Sequence, residues 1–320
     1  MCLGRIDHKA VSMNAQAVAV HRLCVFKMDV CPNGEVGNWQ LPDIDFLATF
    51  ALPQRRPDRL VKLNPYAQDE SIHFDEASHT YTFESQVVGR SVTGLLHHFA
   101  ADFDPVAALA AMKRGAEWEE KRAQLEEQGL ATTDQDFLER WSFNGKVQRS
   151  RGTLMHFHCE CLVNGIQVEE PHSPEFQQAR LIYLELLAMG LRPWRSELSM
   201  YSSILQCAGQ ADLVMRAPDG SLVIVDWKRT KHLTFENKFG CLRYPLSHLP
   251  DTNYWLYALQ LSVYAFFLES ESHLYRVTDL FLAVAHPTIS CGQLVRVPRM
   301  RAEVDAIIAY EREQGRAIDA

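Results

Sequence analysis

The sequence predicts an α/β fold, a mixed central β-sheet flanked by helices. Two observations carry this. Three strand signals stand in series over residues 194–227, WRSELSMYSS, AGQADLVMRA and SLVIVDW, and Pro218-Asp219-Gly220 joins the last two as a strong hairpin turn. Helical patterns precede this run, and a long apolar helix followed by two more strands comes after it.

Residues 1–70 lack a strong period, and 52–65, which combine Pro and Arg, read as a linker or extended arm. This leader is either a poorly ordered segment without a role of its own or an accessory contact surface. The expected domain covers 71–320, with its core at about 150–300. SIHFDEASHTYTF alternates around a polar break at 75–78 and predicts a hairpin. Ser91 or Thr93 is placed to cap a helix starting near Gly94. Residues 105–127 read as helix, and 134–141 as a turn or short helix. Residues 151–165 read as an amphipathic helix entered through Gly152-Thr153 and closed by Asn164-Gly165. A second helix, 173–190, has Ser173 as its cap, Pro174 at its first position and Gly190 as its stop. Residues 253–270 form the long apolar helix, 277–286 and 293–298 two strands, and 300–314 a final helix. No internal repeat is visible.

Composition narrows the function little. The chain has 320 residues, 47% apolar and 22% charged, as in ordinary globular proteins. A net charge of -8 argues against non-specific DNA coating but not against an enzyme with local basic residues. No apolar run is long enough for a membrane span, and no secretory signal stands at the start. The eight cysteines include no CxxC pair, so zinc-ribbon and iron–sulfur spacings are missing. Reduced thiols in an intracellular protein are the simplest reading, with the compartment open. Cys159 and Cys161 read as small core residues on different sides of one helix.

The chemistry concentrates between Gly209 and Lys231. Asp212 lies in one strand, and Asp226 follows the apolar SLVIV run in the next. Charge at the end of a central strand is costly, and a buried carboxylate is normally paired or bound to metal. Alternation puts Asp226 and Lys228 on one face of the strand and Trp227 on the other. Phosphodiester hydrolysis needs an attacking water, a shield for the phosphate and a stabilised leaving oxygen, and one or two Mg²⁺ ions can serve all three. Two carboxylates on neighbouring strands are suitable hard ligands. Lys228 beside them could orient or deprotonate water, or offset charge in the transition state.

GxxD from Gly209 to Asp212, followed by DxK from Asp226 to Lys228, resembles the PD-(D/E)xK nuclease superfamily. Gly152, Thr153 and His156 match a GTxxH-type motif, and Gln260 with Tyr264 matches QxxxY. That set, in that order, is similar to the RecB-like exonuclease branch, most of all its single-domain members such as mitochondrial genome maintenance and CRISPR-associated adaptation nucleases. The resemblance spans about 150–270, with weaker echoes in TYTF and SVTGLL upstream. It implies a restriction-endonuclease-like core with helical N-terminal additions. It implies Mg²⁺ or Mn²⁺ held by His156, Asp212, Asp226 and the Trp227 backbone carbonyl, with Lys228 catalytic. Gln260 and Tyr264, four apart on one helix face, would contact the lysine or the DNA backbone. Glu160, one turn after His156, is a candidate for a second metal or for a bond to His156; Glu197 is a less certain addition. Arg151, Thr153 and Arg229 are candidate phosphate contacts. The implied partner is DNA, single-stranded or with single-stranded ends, and protein partners are undetermined. The chain departs from cluster-binding relatives, because Cys241 and Cys291 lack clustered partners; no iron–sulfur cluster is expected.

Plainer readings stand beside these. His156 taken alone is an ordinary helical histidine, Asp226 and Lys228 a surface pair, Gln260 and Tyr264 packed helix positions, and each arginine a solvated charge. His97 and His98 could steer or stack on a strand, or simply sit at the surface. At the level of function the alternatives are a catalytically idle nucleic-acid-binding or assembly module that keeps the fold, and a hydrolase of another phosphorylated substrate.

Overall fold

The computed structural model describes residues 46–47, 50, 52, 56–76, 78–127, 133–168, 172–238, 240–272 and 274–317. Expectations for residues 1–45, including Cys2, Cys24 and Cys31, lie outside the described residues.

Helix α1 (Arg59–Leu63) leads into strands β1 (Ile72–Asp75), β2 (Thr80–Phe83) and β3 (Gln86–Val87), a small antiparallel sheet. Helices α2 (Val92–His97), α3 (Pro105–Lys113), α4 (Trp118–Glu127), α5 (Asp134–Asn164) and α6 (Pro174–Ala188) follow. Strands β4 (Arg192–Ser202), β5 (Cys207–Arg216) and β6 (Leu222–Arg229) come next, then helix α7 (Asn253–Glu271), strands β7 (Val277–Ala285) and β8 (Gln293–Val297), and helix α8 (Arg301–Glu313). The main sheet runs β4-β5-β6-β7-β8 in space. Only β6 and β7 are parallel, and α7 is their crossover. The mixed sheet between helical layers is the fold class expected.

Alternation sorts the central strands between two cores. Leu222, Ile224, Leu280 and Leu282 face α2, α7 and α8. Val223, Val225, Trp227, Phe281 and Ala283 face α5 and α6. Both sides of β6 are covered, which is why its sequence reads as a continuous apolar run. The Pro218-Asp219-Gly220 turn joins β5 to β6: the Gly220 N–H donates to the Ala217 carbonyl, and Gly220 adopts φ +83°, which glycine reaches without strain.

Several boundaries differ from expectation. Residues 134–164 form one 31-residue helix, so Gly152-Thr153 is mid-helix and no entry point. Its true start is a capping box, with Thr133 accepting from the Asp136 N–H and Asp136 accepting from the Thr133 N–H. The Gly165 stop holds, at φ +75°. The 105–127 segment is two helices broken at 114–117, around Gly115. Ser91 is the cap of α2, which starts at Val92 and contains Gly94. Ser173 precedes α6 but makes no side-chain capping bond. Within the supposed arm, residues 59–63 are helical and anchored: Leu60 is buried, and its N–H donates to Asn164 Oδ1.

Candidate active site

The site forms where β5 and β6 part. Their antiparallel ladder runs from Arg216 opposite Leu222 to Leu213 opposite Val225 and stops there. At the next step the Asp212 side chain replaces the backbone acceptor, its Oδ2 taking the Trp227 N–H at 2.7 Å. That peptide group stays satisfied although the ladder has ended. On the other side of β5, Glu197 of β4 falls in register opposite Asp212, between the pairs Ser196–Leu213 and Leu198–Ala211. Glu197 holds φ +47°, a left-handed conformation that non-glycine residues adopt at a cost.

Helix α5 brings His156 to the same place, its Nδ1 3.5 Å from Asp212 Oδ2. His156, Glu197 and Asp212 each offer a ligand atom within 4.8 Å of the others. Asp226, on β6, is 2% exposed. The Lys228 ammonium stands 2.6 Å from Asp226 Oδ2, as an ion pair. That oxygen is buried and is engaged by the ammonium. A buried carboxylate next to a His-Glu-Asp cluster fits a hard divalent cation.

Beyond Lys228 lies α7. Lys228 Nζ donates to Gln260 Oε1 at 3.2 Å, and Gln260 Nε2 donates to the Tyr264 hydroxyl at 2.9 Å. The Tyr257 ring also receives Lys228 Nζ, 4.4 Å from its centroid. Tyr264 presses on Gly209: a Cβ there would lie 2.5 Å from Tyr264 Cε1 and 2.9 Å from Val92. The glycine of GxxD and the tyrosine of QxxxY are thus two sides of one contact.

Burial disfavours charge on His156, but Asp212 beside it, and then Glu197, lift its pKa to about 9. Burial raises Asp226 to about 6, against the pull of Lys228. Burial and the Asp212 charge hold Glu197 well above the usual carboxylate range. Asp212 itself is lowered: burial opposes this, and His156 and Lys228 outweigh it. Burial would deprotonate Lys228, but Asp226 and Asp212 raise it, so it stands as a cation.

The structure therefore gathers His156, Glu197, Asp212, Asp226, Trp227, Lys228, Gln260 and Tyr264. It places four other candidates elsewhere. Glu160 is buried and bound to Arg56, with Nη1 to Oε2 at 2.7 Å; no side-chain hydrogen bond joins it to His156 among the described residues. Arg229 lies on the Trp227 side of β6, where Glu175 and Gln148 hold its guanidinium, so it faces away from Lys228. Strand alternation carried that signal. The Thr153 hydroxyl folds back to the Arg149 carbonyl on the exposed face of α5. Arg151 lies over the Phe46 ring, 4.6 Å from its centroid. Sequence reasoning missed Tyr81 of β2, whose phenol is pushed up by burial and then by Glu197 and Asp212. Nothing in the TYTF alternation said which core it would approach.

A family model of the PD-(D/E)XK nuclease superfamily matches residues 70–320. No curated protein matches. Among solved structures, a "Putative exonuclease" from Eubacterium rectale is 15% identical, covering 52% of this chain and 69% of that one, at a TM-score of 0.32. A structure named SSO0001 is 12% identical, covering 70% and 83% at a TM-score of 0.26. Neither likeness is close enough to carry an inference. The family match spans both sheets, the parted strands and the lysine that follows them, and on it the chain belongs to the PD-(D/E)XK nuclease superfamily.

Proposed function

We propose that this nuclease is a divalent-cation-dependent deoxyribonuclease of RecB-like type, an exonuclease acting on single-stranded DNA ends. The parting of β5 from β6 carries the proposal, because it leaves the Asp212 and Asp226 carboxylates at the break in their shared ladder beside Lys228. The ordered motifs at His156, Asp212, Asp226, Lys228, Gln260 and Tyr264 support the RecB-like assignment.

His156, Asp212, Asp226 and Glu197 would hold Mg²⁺ or Mn²⁺, helped by the Trp227 carbonyl, which shares a side of the strand with its N–H. A cation bound there supplies positive charge against the phosphate and makes water a better nucleophile. Lys228 would orient the attacking water and offset charge on the phosphate. Gln260 fixes the lysine through its amide oxygen, and Tyr264 fixes Gln260.

The test is purified protein with end-labelled single- and double-stranded DNA and Mg²⁺. Wild type should shorten the single strand from an end, and Asp226→Ala and Lys228→Ala should not. Undiminished cleavage by both variants would sink the assignment. Thermal stabilisation by Mg²⁺ without any cleavage would favour the idle binding module.

A further inference from the structure

A cavity of about 350 Å³ opens between α2 and the first half of α7. Thr93 and His97 stand on one wall, Thr252 and Tyr257 on the other, and Gln260 lines it as well. It therefore adjoins the catalytic lysine, which Gln260 binds directly and the Tyr257 ring receives from the side. The volume is at the small end of ligand sites and suits one nucleoside.

The lining indicates the occupant. Its acidic group is Asp251, and neither lysine nor arginine lines it. Asp251 Oδ2 accepts from the Ala101 N–H. A phosphate inside would meet that carboxylate with no cation in the lining, so an uncharged ring is favoured. His97 is exposed, with no ring or ion-pair partner among the described residues. His97 and Tyr257 both line the cavity, so a flat ring entering it meets two aromatic side chains. Thr252, the residue that precedes α7, is 6% exposed, and its hydroxyl has no hydrogen-bond partner. Such a buried hydroxyl is costly unless something reaches it.

We propose that this cavity receives the unpaired base beside the scissile phosphate, stacked between His97 and Tyr257. A paired base would first have to leave its duplex, so the pocket selects single strands at the point of cutting. Stacking tolerates every base, which makes the preference one of strandedness and not of sequence. This rests on the nuclease reading above.

The test is fluorescence anisotropy of the full chain with labelled oligodeoxythymidine of about ten nucleotides and with a duplex of equal length. EDTA is present, so binding is read without cleavage. Thr93→Trp fills the cavity from an exposed position, and His97→Ala removes one ring. Both should bind the single strand about 10-fold more weakly, with duplex affinity and melting temperature unchanged. Equal single-strand affinity in all three proteins overturns the pocket. So does an equal loss for duplex, or a wild type that binds no single strand. Failure of Mg²⁺-dependent cleavage would strike the nuclease reading and leave this binding result standing.

Discussion

The two ends of the β5–β6 hairpin are built from the same strands and do opposite things. At the turn end the strands pair regularly, and Pro218-Asp219-Gly220 closes them. The Asp219 carboxylate there accepts from Ser221 and binds Arg276 in full view of solvent. At the other end the ladder stops, a side chain stands in for a carbonyl, and a buried carboxylate is paired with Lys228. The difference lies in surroundings and not in residue type, since aspartates stand at both ends. At the exposed end the aspartate shapes a turn. At the buried end, where His156 and Glu197 converge on Asp212 beside Asp226, the carboxylates have capacity for a cation.

Changes at the two ends should therefore separate activity from stability. Lys228→Ala and Asp226→Asn should each lower kcat by about 100-fold or more, measured on labelled DNA, while Asp219→Ala should leave kcat unchanged. Comparable losses at Asp219 would break the contrast. On the reverse face of β6, Trp227→Ala should cost about 3–5 kcal/mol of stability in urea unfolding, as a fully buried aromatic is lost. A loss below about 1 kcal/mol would mean that this face is not the core it looks to be.

The glycines sharpen the comparison further. Gly209→Ala pushes a methyl into Tyr264 and Val92, and should cost about 1–3 kcal/mol and also reduce kcat by displacing the residue that fixes Gln260. Gly220→Ala meets open space but keeps a positive φ. It should cost about 1–2 kcal/mol and leave kcat intact. Equal effects on kcat would deny any link between Gly209 and the site.

The smallest expected effect concerns pH. His286 stands just past β7, and its Nδ1 accepts the Thr288 N–H, which requires the neutral ring. Burial, with Arg229 and Lys231, lowers its pKa to about 4. The unfolded chain takes up the proton near pH 6.5 and the folded one does not, so this stability is present above pH 6.5 and lost as pH falls toward 4. His286→Asn retains an acceptor but cannot titrate. The difference in melting temperature between wild type and His286→Asn should shift against wild type between pH 7 and pH 5, and a constant difference would remove His286 from the account.

Much of the site was legible because it obeys strand arithmetic. The period of two put Asp226 and Lys228 together and Trp227 opposite, and the turn residues made β5 and β6 neighbours. The same period places Arg229 with Trp227, but proximity in sequence to the lysine obscured it. The helix around His156 was misjudged at its start because Gly152 reads as a boundary, yet one glycine costs only about 1 kcal/mol in a 31-residue helix. Glu160 faced a partner, Arg56, from a segment with no periodic signal. The left-handed Glu197 was not readable at all, since no local residue preference calls for it.

The central claim, that the parted strands form a divalent-cation site, is tested most directly by calorimetric titration of Mn²⁺ into wild type and Asp212→Asn. The site should bind saturably in wild type and lose that binding in the variant, with its fold retained by circular dichroism. Equal binding by both proteins, or none by wild type, would contradict it.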